Sequence, residues 1–287
     1  DFQAIKACGA NPVFVDIDEK TFCIDVNKIE NSITKKTKCI IAMDYGSSLC
    51  NHKYLKEISY KYDIPIIHDA AHSFASQYEK SFIGNQHQFT IFSFDPVKSV
   101  TCIDGGAIIL NKKEYENKAQ AMRLIGMNQS SQLMYTNNRA WTYDVLDIGY
   151  RYHLSNIHAA IGLEQLKKIK LIKKTRQDSF LQYNLGLKNI SWLSTPDENI
   201  KNKCPFIYTI RVLNGRRNEL RNFLANLAID TGIHWQPGHK FKYFQNERKH
   251  NLQITEKISE QILTLPFHTD MEAGDIDYIT KCIKEFK

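Results

Sequence analysis

The chain of 287 residues has no CxxC pair, no uninterrupted apolar run long enough to span a bilayer, no internal repeat and no low-complexity segment. The missing CxxC pair excludes a zinc knuckle. The seven cysteines, at positions 8, 23, 39, 50, 102, 204 and 282, are odd in number and scattered, so a disulfide framework is excluded and reduced, partly buried thiols are expected. Neither a spanning run nor a charged-then-apolar leader is found, and with 43% hydrophobic and 24% charged residues the chain reads as a soluble globular protein of the cytoplasm, with no membrane partner. A net charge of +7 could suit a polyanion, yet the aromatics sit in apolar runs and no RNA-binding or zinc-finger signature is present. A small anionic substrate is therefore expected, with no nucleic acid and no metal. The chain opens at Asp1 inside the helix-like DFQAIKACGA, without an initiator Met, so a further N-terminal piece is expected upstream.

The length is enough to bury a large core and favours two domains. Apolar, β-branched runs at 11–18, 38–46 and 64–71 read as strands, separated by helical spacing at Ile24, Ile29 and Ile33 and at Tyr54, Leu55, Ile58 and Tyr62. Strand and helix thus alternate as in a wound α/β sheet. Runs 89–94 and 105–110 follow with no room for a crossover helix, which predicts a strand pairing or change of direction between them. Residues 114–125 read as helix and 129–138 as polar loop. Ser155 is a candidate N-cap for one long helix carrying Ile157, Ile161, Leu166, Ile169 and Ile172 on one face. After it the pattern changes to a strand at 206–213, a helix at 216–230, a short strand at 231–235 and helices at 254–263 and 275–286. The expected division is a large α/β domain at 1–172, which includes the start of the connecting helix, and a small α+β domain at 173–287.

Lys98 stands five residues after Ser93 in IFSFDPVKSVTCIDGGA, within the bend between the two adjacent strands, and the strand-like IIHDAAHS places Asp69 at a strand C-terminus. Ligands of open α/β sheets bind at that edge. An amine able to form a Schiff base, a hydroxyl for a phosphate and an acid for a ring nitrogen together suit pyridoxal phosphate. Each residue also has a plainer reading. Asp69 could cap a helix, Lys98 could be a solvated charge, and Ser93 could bond the backbone. His72, on the same side of a helix begun at Asp69, could contact the cofactor's phenolic oxygen or be structural. Apolar flanks at Pro96, Val97 and Val100 would desolvate Lys98, lower its pKa and leave a nucleophilic amine that could also carry a proton. His234 and His239 in GIHWQPGHKF could approach substrate or be solvated loop histidines.

DAAHS, FSFDPVK, DGGA and GYRYHLSNIHAAIGLEQL together resemble the DegT/DnrJ/EryC1/StrS sugar aminotransferases, fold-type I enzymes that use pyridoxal phosphate. PVFVDID, GIHWQPGHKF and LPFHTDMEAGDIDYI keep the family's order over almost the whole chain. The resemblance implies a mainly parallel mixed sheet wrapped by helices with a smaller α+β C-terminal domain. It also implies that Lys98 carries the cofactor, Asp69 pairs with its pyridinium, Ser93 holds its phosphate and His72 occupies the position, often Gln, beside the ring hydroxyl. Two motifs depart from the family. Ile103-Asp104-Gly105-Gly106 stands for GEGG, and Gly149-Tyr150-Arg151-Tyr152-His153 stands for GYNYR, whose Asn commonly reaches a phosphate in the partner subunit; Arg151 could do so with a charge-assisted bond. The family's phosphate loop and stacking aromatic would lie before Asp1, so this chain alone is expected to bind the cofactor weakly. The implied activity is a homodimeric, ping-pong transfer of an amino group, usually from glutamate, to a keto group on a nucleotide-linked sugar, serving amino-sugar or surface polysaccharide synthesis. The alternatives are a sugar dehydrase, in which histidine replaces Lys98, and a non-catalytic binding or regulatory protein of the same fold.

Overall fold

The computed structural model describes residues 1–128 and 143–286, so the polar stretch expected at 129–138 lies outside the described residues. The main sheet contains β1 (Ile40–Met43), β2 (Ile66–Asp69), β5 (Phe89–Ser93) and β6 (Gly106–Leu110) in that spatial order, while β3 (Gln77–Tyr78) and β4 (Ser81–Phe82) form a separate hairpin. β1, β2 and β5 run parallel and β6 returns antiparallel along all of β5, which is the change of direction expected there. Its closeness depends on Gly106, since a Cβ there would lie 2.8 Å from the Phe92 carbonyl oxygen.

After α1 (Phe2–Ala7) and the short α2 (Val26–Ile29), the first full helix is α3 (His52–Tyr62). Asn51 caps it by accepting the Tyr54 N–H at 3.1 Å, and Asp63, at φ 52°, ends it in the left-handed region. Its buried Leu55 and Ile58 share a core cluster with Ile40, Ala42 and Ile66. α4 (Lys113–Met122) follows β6.

Residues 11–18 do not form the expected strand. Phe14 and Ile17 make only single bridges, to Lys249 and Ile24. The reason lies in Asp16, whose buried carboxylate accepts the N–H groups of Ile254 (3.1 Å) and Thr255 (2.7 Å) at the start of α8 (Gln253–Gln261), as well as the Lys28 ammonium at 2.8 Å. This segment is tied down by a side chain rather than by a ladder.

The single long helix expected from Ser155 is two: α5 (Asn156–Lys167) and α6 (Ile169–Gly186), joined at Lys168. The Ser155 cap is present, with its hydroxyl accepting the His158 N–H at 3.2 Å. The expected apolar face divides between them, because Ile157 is 74% exposed on α5 whereas Ile172 is 8% exposed on α6. α6 turns its Phe180 and Tyr183 into the C-terminal core, against β8 (Tyr208–Val212). That core lies on an antiparallel sheet ordered β7 (Leu193–Ser194), β8 and β9 (Ile262–Leu265), packed by α7 (Arg217–Asn226) and α9 (Ala273–Glu285). β9 corrects the helix expected at 254–263. The helix stops at Gln261 because Ile262 to Leu265 pair with β8, and a ladder partner outweighs local periodicity. The short strand expected at 231–235 is reduced to a bridge between Gly232 and Thr264.

Burial pushes the Asp16 pKa up, but the Lys28 and Thr255 hydrogen bonds outweigh it and hold the carboxyl below its ordinary value of 3.8. The carboxylate therefore stabilises the fold above its unfolded pKa, and that contribution is lost as pH falls through the folded one. Asp16→Ala should lower unfolding stability by roughly 1–3 kcal/mol at neutral pH. In urea titrations the difference from the parent should shrink as pH drops below the ordinary carboxylate range.

Candidate active site

Side chains of a strand alternate between faces, and directly paired residues of neighbouring strands share one. On β2 the buried Ile66 and His68 point toward α3, while Ile67 and Asp69 point the other way. Asp69 pairs with Met43 and Ile91, so Ser93, two residues beyond Ile91 on β5, projects from the same face as Asp69. Asp69 is the last residue of its strand, at the carboxyl edge where ligands bind. It caps no helix. Its Oδ1 accepts the Ala71 N–H at 2.9 Å and starts a run of turns, in which Ser73 and Ser76 donate to the carbonyls of Ala70 and Ser73. The helix expected beneath His72 is therefore absent, and turn geometry positions that ring.

The β5–β6 bend holds Lys98. Asp95 accepts the N–H of Val97 on its side chain (3.1 Å) and that of Lys98 on its carbonyl (3.0 Å), while Phe94 bonds Cys102 and Gly105 across the loop. Lys98 is half-buried, with its ammonium 4.5 Å from the centre of the Phe206 ring. Burial moves its pKa down, and the carboxylates of Asp69 and then Asp95 move it partly back up. The amine is thus partly shielded from water and within electrostatic reach of Asp69.

His72 is buried and packs against the rings of Phe206 (4.3 Å between centroids) and Trp235 (5.0 Å, stacked), with Tyr45 at its edge. Its Nδ1 accepts the Gly46 N–H at 3.2 Å, which leaves the ring proton on Nε2. Burial, followed by the charge of Lys98, pushes its pKa down to about 3, so at neutral pH it is an uncharged donor. Gly46 meets this requirement at φ +62°, where a Cβ would also press on Ile207 at 3.3 Å.

Phe206, Trp235 and Tyr45 were not foreseen. Tyr45 comes from the turn after β1, and Phe206 and Trp235 from much later in the chain, and no spacing in the sequence joins them to 69, 72 or 98. The aromatic in GIHWQPGHKF was the one available signal. Tyr45 donates its hydroxyl to the His234 carbonyl, and His234 itself is half-buried beside Trp235. His239 is buried elsewhere, against Phe14, with its Nε2 3.0 Å from Glu256 Oε1. Arg151 is exposed on a segment whose backbone bridges Leu124, and no hydrogen bond or ion pair joins its side chain to Lys98, Asp69, His72 or Ser93. Ser93 is half-buried, and its hydroxyl makes a long contact (3.4 Å) with the Asp95 N–H.

The residues present fit pyridoxal phosphate: an amine that burial biases toward its neutral form, a carboxylate within its electrostatic reach at the strand's carboxyl edge, and a neutral imidazole with a ring proton on Nε2. The fold around them is that of the fold-type I pyridoxal phosphate-dependent aminotransferases. The chain belongs to the DegT/DnrJ/EryC1/StrS aminotransferase family, whose profile matches residues 2–284. It is 31% identical to the uncharacterized protein MJ1066 of Methanocaldococcus jannaschii over 96% of this chain and 74% of that one. Among solved structures, Spr1654 of Streptococcus pneumoniae in its PLP form superposes with a TM-score of 0.88 at 26% identity, covering 99% of this chain and 76% of that one. PseC of Helicobacter pylori, an aminotransferase involved in the biosynthesis of pseudoaminic acid, superposes with a TM-score of 0.90 at 22% identity, covering 99% and 75%. Among the described residues no helix is long and apolar enough to cross a membrane.

A folded-state pKa of about 3 for His72 means that the unfolded chain binds the extra proton first on acidification. Stability should therefore fall as pH drops from the ordinary histidine value toward 3, with a contribution of up to about 1.4 kcal/mol per pH unit from this ring. Chemical denaturation across that window should show a shallower slope for His72→Gln than for the parent.

Proposed function

We propose that this chain is a pyridoxal phosphate-dependent aminotransferase that moves an amino group from an amino acid, glutamate in the first instance, to a keto group of a nucleotide-linked sugar. The observation that carries this reading is the half-buried Lys98 amine under the influence of Asp69, in the strand bend on the ligand-binding edge of the sheet. The sugar class rests on family membership, and the chain's basic character suits a diphosphate-bearing substrate.

When bound, pyridoxal phosphate supplies an aldehyde for the amine and a protonated ring that withdraws electrons from the donor's α-carbon. Lys98 Nζ would hold the aldehyde covalently and, as a free amine, would be the base for the donor's α-proton. Asp69 would pair with the ring nitrogen and keep a proton on it. His72 would donate an Nε2–H hydrogen bond to the phenolic oxygen, and the Phe206 and Trp235 rings hold the imidazole in place. Ser93 would hold part of the phosphate, and Arg151 would reach the phosphate bound in a partner subunit. Buried clusters on either side of residue 172, one around α3 and one around β8, favour a large domain at 1–172 and a small one at 173–287.

A homodimer is part of this proposal. α4 and α5 bury no side chain, and Ile148, Ile157, Leu163 and Leu171 are each more than 60% exposed. Apolar exposure on this scale supports an interface there, and the Tyr150–Tyr152 stack beside Arg151 lies on the segment that carries Ile148.

Borohydride treatment of the full-length protein with pyridoxal phosphate should label the peptide containing Lys98, and Lys98→Ala should lower turnover by at least about 100-fold. Glutamate should be consumed one for one with a keto sugar nucleotide. Label at another lysine would remove the assignment; sugar turnover without donor consumption would favour a dehydrase. Light scattering should give a dimer, and Ile157→Lys with Leu163→Lys should shift it to monomer and depress turnover while far-ultraviolet circular dichroism is retained.

A further inference from the structure

Behind the sheet, on the face opposite Asp69, lies a second polar cluster that the proposed reaction does not use. Asp44 follows β1, His52 opens α3, His68 precedes Asp69 on β2 and His87 precedes β5, and all four are buried. His68 Nε2 lies 2.7 Å from Asp44 Oδ2 and His52 Nε2 lies 3.5 Å from Asp44 Oδ1. Metal-ligating atoms of these three residues all fall within 4.8 Å of one another. His52 Nδ1 is 3.0 Å from His87 Nε2.

Hydrogen bonding accounts for only part of this arrangement. The His68 Nε2–H donates to Asp44 Oδ2, and Asp44 Oδ1 accepts the Cys50 N–H at 2.8 Å. His52 Nε2, on a ring 1% exposed, has no hydrogen-bond partner although it faces a carboxylate oxygen. In the tautomer whose Nδ1–H donates to His87, that nitrogen presents a lone pair to an anion, and a cation between them would turn the repulsion into two attractions. The 3.5 Å separation also matches the roughly 3.4 Å edge of a tetrahedron built on bonds of about 2.1 Å, the length zinc makes to imidazole and carboxylate.

The geometry points to a metal site: Asp44, His52 and His68 bind one divalent transition-metal ion of the zinc class. Two imidazoles and a carboxylate favour such an ion over magnesium or calcium, which take oxygen ligands. Binding at His68 Nε2 moves the ring proton to Nδ1, which has no hydrogen-bond partner, and opens the His68–Asp44 pair toward the tetrahedral edge. His87 is a positioning residue that accepts a hydrogen bond from the His52 Nδ1–H in the metal-bound tautomer and holds the other nitrogen toward the ion. The site is structural, since it ties β1, β2 and α3 together away from Lys98. On the other side of Asp44, the thiols of Cys23 and Cys50 approach within the same 4.8 Å and form the rival ligand set.

The test uses full-length protein stripped with a chelator. Titration with Co²⁺ should give the visible absorption of four- or five-coordinate cobalt, saturating at one equivalent, and the same equivalent of Zn²⁺ should raise the melting temperature and displace the cobalt. X-ray absorption of the Zn²⁺-loaded protein should show the outer-shell scattering of imidazole. His52→Gln should abolish stoichiometric binding, and His87→Ala should weaken it by about 10–100-fold. No saturable cobalt band in the parent protein, or a sulfur shell without imidazole scattering, overturns the assignment. So does binding that His52→Gln leaves unchanged. If His52→Gln does not fold, the parent spectrum and the His87→Ala titration still decide.

Discussion

The antiparallel return of β6 along β5 is the constraint on which the site depends. The other paired strands of the main sheet are parallel, and parallel neighbours are joined by long crossovers that carry the chain away from their shared carboxyl edge. Reversing direction at Ser93 instead keeps the chain at that edge. It confines residues 94–105 to a bend closed by the bonds of Phe94 to Cys102 and Gly105, with Gly106 allowing the strands to touch at the Phe92 carbonyl. Lys98 is held at the mouth of the sheet rather than swept onto an outer helix. Register does the rest, since the pairing of Asp69 with Ile91 puts the carboxylate and Ser93 on one side.

How much of this could be read from the residues depends on whether the signal was local. Asp69, Ser93 and Lys98 sit within or beside apolar β-branched runs, and strand alternation is enough to order them along one edge. The Ser155 cap was legible for the same reason, because a hydroxyl and the amide three residues on form a local pair. The failures share the opposite cause. Residues 11–18 look like a strand, but Asp16 commits its carboxylate to amides at 254 and 255. Ile262 to Leu265 continue a helical stripe until β8 offers a ladder. The aromatic setting of His72 comes from positions 45, 206 and 235, whose meeting is a property of the fold.

The position of His72 shows how distant parts of the chain divide the task. Its ring is oriented by a backbone amide, that of Gly46, and flanked by Phe206 and Trp235 from beyond the main sheet. A side chain held by backbone and by aromatic packing keeps its tautomer without charge compensation. That suits a neutral donor beside an amine that would repel an imidazolium.

The same alternation that exposes Asp69 to the ligand edge buries His68 behind it, so the two polar groups at the end of β2 serve opposite faces. They are joined through the backbone that follows β1. Asp44 donates its N–H to the Asp69 carbonyl at 3.1 Å, while its side chain receives His68; Tyr45 then reaches the His234 carbonyl, and Gly46 reaches His72. Three consecutive residues thus connect the buried histidine cluster to the ring that faces Lys98. A one-residue slip of β2 against β1 would exchange the faces, setting an imidazole at the amine and a carboxylate in the core. The cluster on α3's side and the reactive edge therefore depend on one register, and whatever strengthens the grip on Asp44 also steadies the amide that orients His72.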